Sequence, residues 1–247
     1  MTIEDLTLLE VLQGVFSLIW VIIAMIIGLR ILLKASTLGR RDLMSVGISL
    51  ILIASPWWNS SLSFVLYVLF NFTLNDFFFF LIGNIFLPFA ILCWMYTFCS
   101  VLNIKYKKFY ILIYFIIGTI WQILFIYFLF IDIETIGTIE GLFDSRYNTF
   151  ALIYHIFMML SLLITGIIFA NDAIKSPNRE TQWKGKFILI GILTFVICAF
   201  FDSAISLNPL TLVFIRILLI SSAIEYYFGF FLPKQLKKRL IGMGDSN

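Results

Sequence analysis

An aspartate and an arginine stand inside two consecutive stretches of the chain that are otherwise apolar. Asp202 lies before the turn at Asn208-Pro209, and Arg216 lies after it. At about 1.5 Å of helix rise per residue, both side chains are roughly 9–12 Å from the turn, on consecutive antiparallel helices. A carboxylate and a guanidinium at one depth can pair bidentately, and each then offsets the cost of burying the other. The spacing therefore predicts an ion pair between Asp202 and Arg216.

Five more side chains that could contact a ligand fall at a similar depth in other apolar stretches. They are His155, Asn84, Gln122, Trp121 and Trp58, and Trp57 and Asn59 lie at the same depth beside Trp58. Ionisable and amide side chains are costly in hydrocarbon and usually face the interior of a helix bundle. Together with Asp202 and Arg216, these residues predict a pocket for a small ligand in the outer half of the bundle.

Purely structural roles for the same residues stay open as the alternative. The ion pair would then only clamp two helices together, and the amides would form hydrogen bonds between helices. The tryptophans would belong to the aromatic belt at the membrane interface, and the histidine would be a satisfied interior residue.

A second pair of charges lies at the other end of the predicted helices. Glu225 falls close to the cytoplasmic boundary, where it would either anchor its helix at the interface or pair with Arg30 as a two-position switch. Beyond it, Leu232, Leu236 and Leu240 share one face of a short basic tail. Such a tail is expected to lie along an anionic inner leaflet of the bilayer or to dock a cytoplasmic signalling partner.

The sequence lacks the residues that several other activities need. A single histidine cannot supply a zinc hydrolase site, and residues 209–232 contain no lysine for a retinal Schiff base. There is no GxSxG motif and no phosphate-binding glycine loop. The basic loops match the pattern of cytoplasmic topology signals, which gives no support for nucleic-acid binding. We therefore expect no enzymatic activity, no cofactor, no metal and no nucleic-acid partner.

The elements that position these side chains follow from composition. The chain of 247 residues is 62% hydrophobic and 13% charged, which is outside the range of soluble domains. A membrane-spanning helix takes about 20 apolar residues, and these stretches are too continuously apolar for the strands of a β-barrel. The predicted spans lie near residues 8–33, 43–66, 77–103, 109–131, 149–174, 186–206 and 209–232.

The predicted fold is thus all-α: a polytopic membrane protein with a seven-transmembrane-helix bundle at 1–232 and a cytoplasmic tail at 233–247. Fifteen of the 17 lysines and arginines fall at the first, third and fifth connections or in the tail. Eight of the 14 acidic residues, Glu4 and Asp5 among them, fall on the opposite side. Because basic loops stay in the cytoplasm, we expect an external N-terminus, a cytoplasmic C-terminus and a multi-pass location in the cell membrane.

Residues 56–76 are too long for a simple loop and contain a proline and a tryptophan pair. Two interpretations stay open. The second span either kinks at Pro56 and continues, or ends there and leaves residues 62–70 along the outer interface. Both interpretations keep seven crossings.

Two segments resemble the seven-helix sensor region of bacterial and archaeal histidine kinases. "FLIGNIFLPFAILCWMYTF" (80–98) is similar to that family's third span, and "PLTLVFIRILLISSAIEYYFGFFLPKQLKK" (209–238) is similar to its last span. The resemblance implies sensing of a small or membrane-borne signal and transmission through the seventh span. No kinase portion follows these residues, so output is expected to pass through a separate partner.

The leading functional expectation is a receptor-like sensor that binds a small ligand in the outer pocket and signals through its last helices to a cytoplasmic partner. A small-solute transporter is the first alternative, since some carriers also have seven spans, although the five prolines show no repeat pattern. An accessory subunit of a membrane complex is the second alternative.

Overall fold

A computed structural model describes residues 6–205 and 207–242 of the chain, with the side chain of Ala204 left aside. The predicted outer acids Glu4 and Asp5 and the end of the tail, 243–247, lie outside the described residues. The helices are α1 (Leu8–Thr37), α2 (Arg41–Ile53), α3 (Trp58–Phe70), α4 (Asp76–Asn84), α5 (Leu87–Val101), α6 (Lys107–Ile131), α7 (Thr149–Ile174), α8 (Arg179–Ala204), α9 (Pro209–Phe230) and α10 (Lys234–Ile241).

Seven helical segments within the described residues are long and apolar enough to cross a membrane. Two of them are interrupted. The second segment, Arg41–Phe70, consists of α2, a 3-10 turn at Ser55–Trp57 and α3. The third, Asp76–Val101, consists of α4 and α5, with Pro88 in the first turn of α5. Proline has no N–H to donate, so a break at each proline is expected. Of the two interpretations of residues 56–76, the kinked and continuing helix is confirmed.

The bundle is apolar outside and carries polar groups inside. Helix α6 illustrates the outer surface, where Leu112, Phe115, Ile120 and Ile123 are each more than half exposed. Inside, Ser45 and Thr97 are buried against each other with their hydroxyl oxygens 2.6 Å apart. A large apolar exterior of this kind is what a lipid-facing bundle requires. The structure therefore has the helices of a multi-pass membrane protein.

Six of the helices close a ring, in the order α1, α2, α5, α7, α8, α9 and back to α1, while α6 packs outside it against α5. Close contacts between small residues hold this ring. A Cβ on Gly47 of α2 would lie only 2.6 Å from the carbonyl oxygen of Gly28 on α1. Since lipid gives helices no hydrophobic reason to associate, such close backbone packing is a main source of their attraction.

One element departs from the all-α prediction. Strands β1 (Gly137–Glu140) and β2 (Asp144–Tyr147) form an antiparallel hairpin between α6 and α7, with Gly137 opposite Tyr147 and Glu140 opposite Asp144. Gly141 takes a positive φ of 65° in its turn, which glycine adopts without steric cost. The fully buried ring of Phe143 packs edge-on against Phe64 and Tyr67 of α3. The hairpin is therefore fixed to one end of the bundle, called here the hairpin end; α10 lies at the opposite, tail end.

Candidate functional site

The predicted ion pair between Asp202 and Arg216 is present. Nη2 of Arg216, on α9, lies 3.1 Å from Oδ1 of Asp202, on α8, and the two side chains are only 4% and 11% exposed. The pair uses one guanidinium nitrogen, since Nε and Nη1 of Arg216 are buried without a hydrogen-bond partner among the described residues. The expected bidentate geometry is therefore not seen, and most of the guanidinium's hydrogen-bonding capacity is unused.

Trp57 completes the surroundings of Asp202. Its indole Nε1–H donates to Oδ2 of Asp202 at 2.7 Å, and its ring centroid lies 5.8 Å from Cζ of Arg216. Trp57 ends the 3-10 turn that kinks the second segment, and the kink turns this ring toward α8 and α9. The predicted site residue Trp58 is instead packed against Phe86, with ring centroids 5.2 Å apart. The placement predicted for Trp58 is therefore not seen, whereas Trp57 of the same predicted layer contacts Asp202, because neighbouring residues on a helix face different directions.

The hairpin brings a second carboxylate to the same place. Asp144 on β2 accepts hydrogen bonds at Oδ1 from the backbone N–H of Ser145, at 2.9 Å, and at Oδ2 from the side-chain amide of Gln13 on α1. Burial, and then the nearby negative charge of Asp202, raise the pKa of Asp144 to about 6, although Arg216 acts in the opposite direction. Asp144 therefore titrates near neutral pH beside the ion pair.

These groups surround a cavity inside the hairpin end of the bundle. Asp202, Arg216, Asp144 and Trp57 line it together with His155, and about 50 Å³ of it is open to water-sized molecules. One water needs roughly 10–15 Å³ of such space. The cavity can therefore hold a few waters or a ligand of a few heavy atoms, and a larger ligand would require the walls to move.

His155 offers an unused hydrogen-bond acceptor at this cavity. Its Nδ1 lies 2.7 Å from the carbonyl oxygen of Ala151, one turn earlier on α7, so Nδ1 carries the proton that makes this bond. Nε2 is then an acceptor, and it has no partner in the described ranges. The imidazole lies against the ring of Tyr147, with centroids 4.5 Å apart. The predicted placement of His155 at the site is confirmed in position.

Asn84 belongs to a neighbouring polar cluster and does not line the cavity. Its Nδ2 donates to the carbonyl of Phe80 at 2.9 Å, and its side chain lies beside the Tyr147 hydroxyl, as does that of Asn59. This packing requires a glycine at position 83, because a Cβ on Gly83 would lie only 2.7 Å from Nδ2 of Asn59. Burial raises the pKa of Tyr147 to about 12. Asn84 thus reaches the cavity only through Tyr147.

Trp121 and Gln122 do not reach the site. The Trp121 ring stacks between Phe125 and Tyr154, with centroid distances of 4.9 and 4.1 Å, in the hydrophobic core between α6 and α7. The amide of Gln122 finds no hydrogen-bond partner within the structure's described part, and the residue does not border the cavity. Their depth along α6 matches the prediction, but α6 lies outside the ring, so both are separated from the ion pair.

The predicted switch between Glu225 and Arg30 is not formed. Arg30 is exposed on α1, and no ion pair joins it to Glu225 among residues 6–205 and 207–242. Glu225 is half-buried where α9 contacts α8. A Cβ added to Gly191 of α8 would lie 3.3 Å from the Cβ of Glu225. Facing α8, Glu225 is turned away from the exposed guanidinium.

The structure adds two site residues that the sequence did not single out, Gln13 and Asp144. Gly141, a residue that favours tight turns, was the available signal for a hairpin. Comparison of the chain with protein-family models, with curated proteins and with solved structures finds no match. The site is therefore interpreted from its own chemistry.

Proposed function

We propose that this chain is a receptor-like multi-pass sensor of the cell membrane. A small ligand binds in the cavity at the hairpin end, and the last helices carry the signal to a separate cytoplasmic partner. One observation supports this proposal above all: the guanidinium of Arg216 is almost fully buried at a cavity wall, and two of its nitrogens have no hydrogen-bond partner among the residues that the structure describes. A structural clamp would leave no reason for these costly unpaired groups.

Ion pairs at both ends of α8 and α9 support a path for the signal. At the hairpin end, Asp202 of α8 pairs with Arg216 of α9. At the tail end, Glu180 at the start of α8 pairs with Lys237 of α10, which follows α9, at 2.5 Å. A ligand that shares Arg216 with Asp202 changes how α9 sits against α8, and α10 is tied to the far end of α8 by the Glu180–Lys237 pair. Signalling would thus consist of a change in the position of α10.

The test uses the full chain in lipid nanodiscs and a panel of small anionic, cationic and neutral solutes. The sensor proposal expects one class to raise the melting temperature of the native protein and to change hydrogen exchange in residues 234–241. Arg216→Met is expected to lose both effects. The control is Arg146→Met, since Arg146 is an exposed hairpin arginine whose nearest carboxylate lies 4.0 Å away.

Counterflow of the stabilising solute in proteoliposomes would identify a carrier and contradict the sensor. Stabilisation by none of the three classes would contradict a ligand site altogether, and the accessory-subunit alternative would then be favoured.

A further inference from the structure

The hydrogen bonds around the cavity determine what kind of ligand fits. The carboxylate oxygens at the cavity already have partners: those of Asp202 face Arg216 in the ion pair and the indole N–H of Trp57, and those of Asp144 accept hydrogen bonds from Ser145 and Gln13. Nε and Nη1 of Arg216 have no hydrogen-bond partner among the described residues, and both can only donate. A cation would meet oxygens that already have partners, whereas an anion would satisfy donors that have none there.

The shape of the guanidinium further restricts the chemical class of anion that can bind. Each fork of a guanidinium joins Nη2 to either Nε or Nη1, and Asp202 engages Nη2 alone. One fork can therefore still present two parallel N–H groups, one from an unpaired nitrogen and one from the second N–H of Nη2. Two oxygens on one atom match this fork, as in carboxylates and other small oxyanions. The limited space, about 50 Å³, excludes bulky members of this class in the present conformation.

The balance of charges in the cavity adds a second requirement for binding an anion. With both aspartates ionised, the cavity already holds two negative charges against one positive charge, and another anion would increase the imbalance. Asp202 has a guanidinium and an indole N–H as partners, while Asp144 has only an amide and a backbone N–H. Asp144 is therefore the group that can become neutral. The charged, titratable and amide groups that face the hairpin from the elements around it are Glu10 and Gln13 of α1, Asn59 of α3, Asn84 of α4, His155 of α7, Asp202 of α8 and Arg216 of α9, and the hairpin itself carries Glu140, Arg146 and Tyr147.

We propose that the cavity binds a small carboxylate or similar oxyanion through this fork of Arg216, and that Asp144 takes up one proton when the anion binds. This inference rests on the proposed ligand site and specifies its chemistry. In the bound state, the anion and Asp202 share the guanidinium, and protonated Asp144 gains an O–H that can donate to the anion. Binding is therefore expected to strengthen as the pH falls from 7.5 to 5.

Acetate and its neutral isostere acetamide test this on the native protein in nanodiscs, with methylammonium as the cationic probe. Ionic strength is kept constant with sodium gluconate, whose chain is too long for the cavity. Acetate is expected to raise the melting temperature saturably and with higher apparent affinity at pH 5 than at pH 7.5. Acetamide and methylammonium are expected to have no saturable effect.

Variants of Arg216 and Asp144 test the two proposed roles, anion binding and proton uptake. Arg216→Lys keeps the charge without the fork and should weaken acetate binding at least about tenfold, and Arg146→Lys, the same change outside the cavity, should leave it unchanged. Asp144→Asn should bind acetate at pH 7.5 as tightly as the native protein does at pH 5, with no further pH dependence.

Three results would overturn the inference: equal effects of acetate and acetamide, stabilisation by methylammonium, or acetate binding that strengthens with rising pH. Each of the first two would leave a ligand site, and hence the proposed function, standing. No saturable effect from any probe means that the unpaired donors bind only water, which overturns this inference; the broader solute panel described above then decides the proposed function separately.

Discussion

The side chain of Gln13, near the start of α1, donates a hydrogen bond to the carboxylate of Asp144 on the hairpin, 131 positions later in the chain. Gln13 is only 7% exposed, so this contact links the first helix of the bundle to a strand that lines the cavity. It is the hydrogen bond that holds the second carboxylate of the site in place.

Loss of this hydrogen bond should loosen the hairpin. Gln13→Ala removes the donor and leaves a partly buried carboxylate oxygen unpaired, at a cost of about 1–3 kcal/mol. Hydrogen exchange at the backbone amides of residues 137–147 is expected to become faster. Gln122→Ala is the matched control, since the amide of Gln122 has no partner among the described residues. Equal exchange rates in native protein and Gln13→Ala would contradict the assigned role.

Asp144 should make the protein less stable as the pH rises. Its pKa is raised from 3.8 to about 6 by burial, so the folded state holds a proton that the unfolded state has released. The resulting stability is fully present below pH 4 and is lost as the pH rises through about 6, with a total of about 2–3 kcal/mol.

Unfolding free energies measured between pH 4 and pH 7.5 check this, with Asp144→Asn expected to remove most of the decline. Asp76→Asn is the control, because Asp76 lies exposed in the first turn of α4. The same decline in Asp144→Asn as in the native protein would show that another group is responsible.

The ion pair should show strong coupling in a double-mutant cycle. Arg216→Met or Asp202→Asn alone leaves an uncompensated group in the interior and should cost about 3–5 kcal/mol. The double variant should recover a large part of this loss, because neither charge remains. Unfolding free energies of the two single variants and the double variant, measured in detergent, check this. If the loss in the double variant equals the sum of the two single losses, the two side chains do not depend on each other.

The tail helix should depend on Glu180. This carboxylate contacts Lys184 at 2.8 Å and Lys237 of α10 at 2.5 Å. Glu180→Gln is expected to speed hydrogen exchange in residues 234–241, while global stability falls by no more than about 1 kcal/mol because both pairs are partly exposed. Glu134→Gln, at the hairpin end, is the control. Unchanged exchange in α10 would show that the helix is held by its leucines alone.

The sequence was sufficient to predict the spans and the pairing of Asp202 with Arg216, because both follow from distance along the chain. Apolar length indicates a span, and equal counts from the turn at Asn208 place two side chains at one depth. The direction of a side chain around its helix is a different quantity, and it depends on packing. For this reason depth alone grouped Trp58, Trp121 and Gln122 with Trp57, and of these four it is Trp57 that contacts the ion pair.

The hairpin was missed for a related reason. Its strands have four residues each, which is too short for alternation to be distinctive, and Asp144 appeared as one acid among several in a connecting loop. Its burial comes from contacts distant in sequence, namely Gln13 of α1 and the packing of Phe143 on α3. The composition of the loop alone gives no indication of either contact.

The hairpin also has a kinetic consequence. Because Asp144, Ser145 and Tyr147 form one wall of the cavity and Phe143 is fully buried beside them, exchange of the cavity's contents through that wall requires Phe143 to leave its pocket. An occupant that takes this route would enter and leave more slowly than diffusion allows, at a rate set by how often the wall opens.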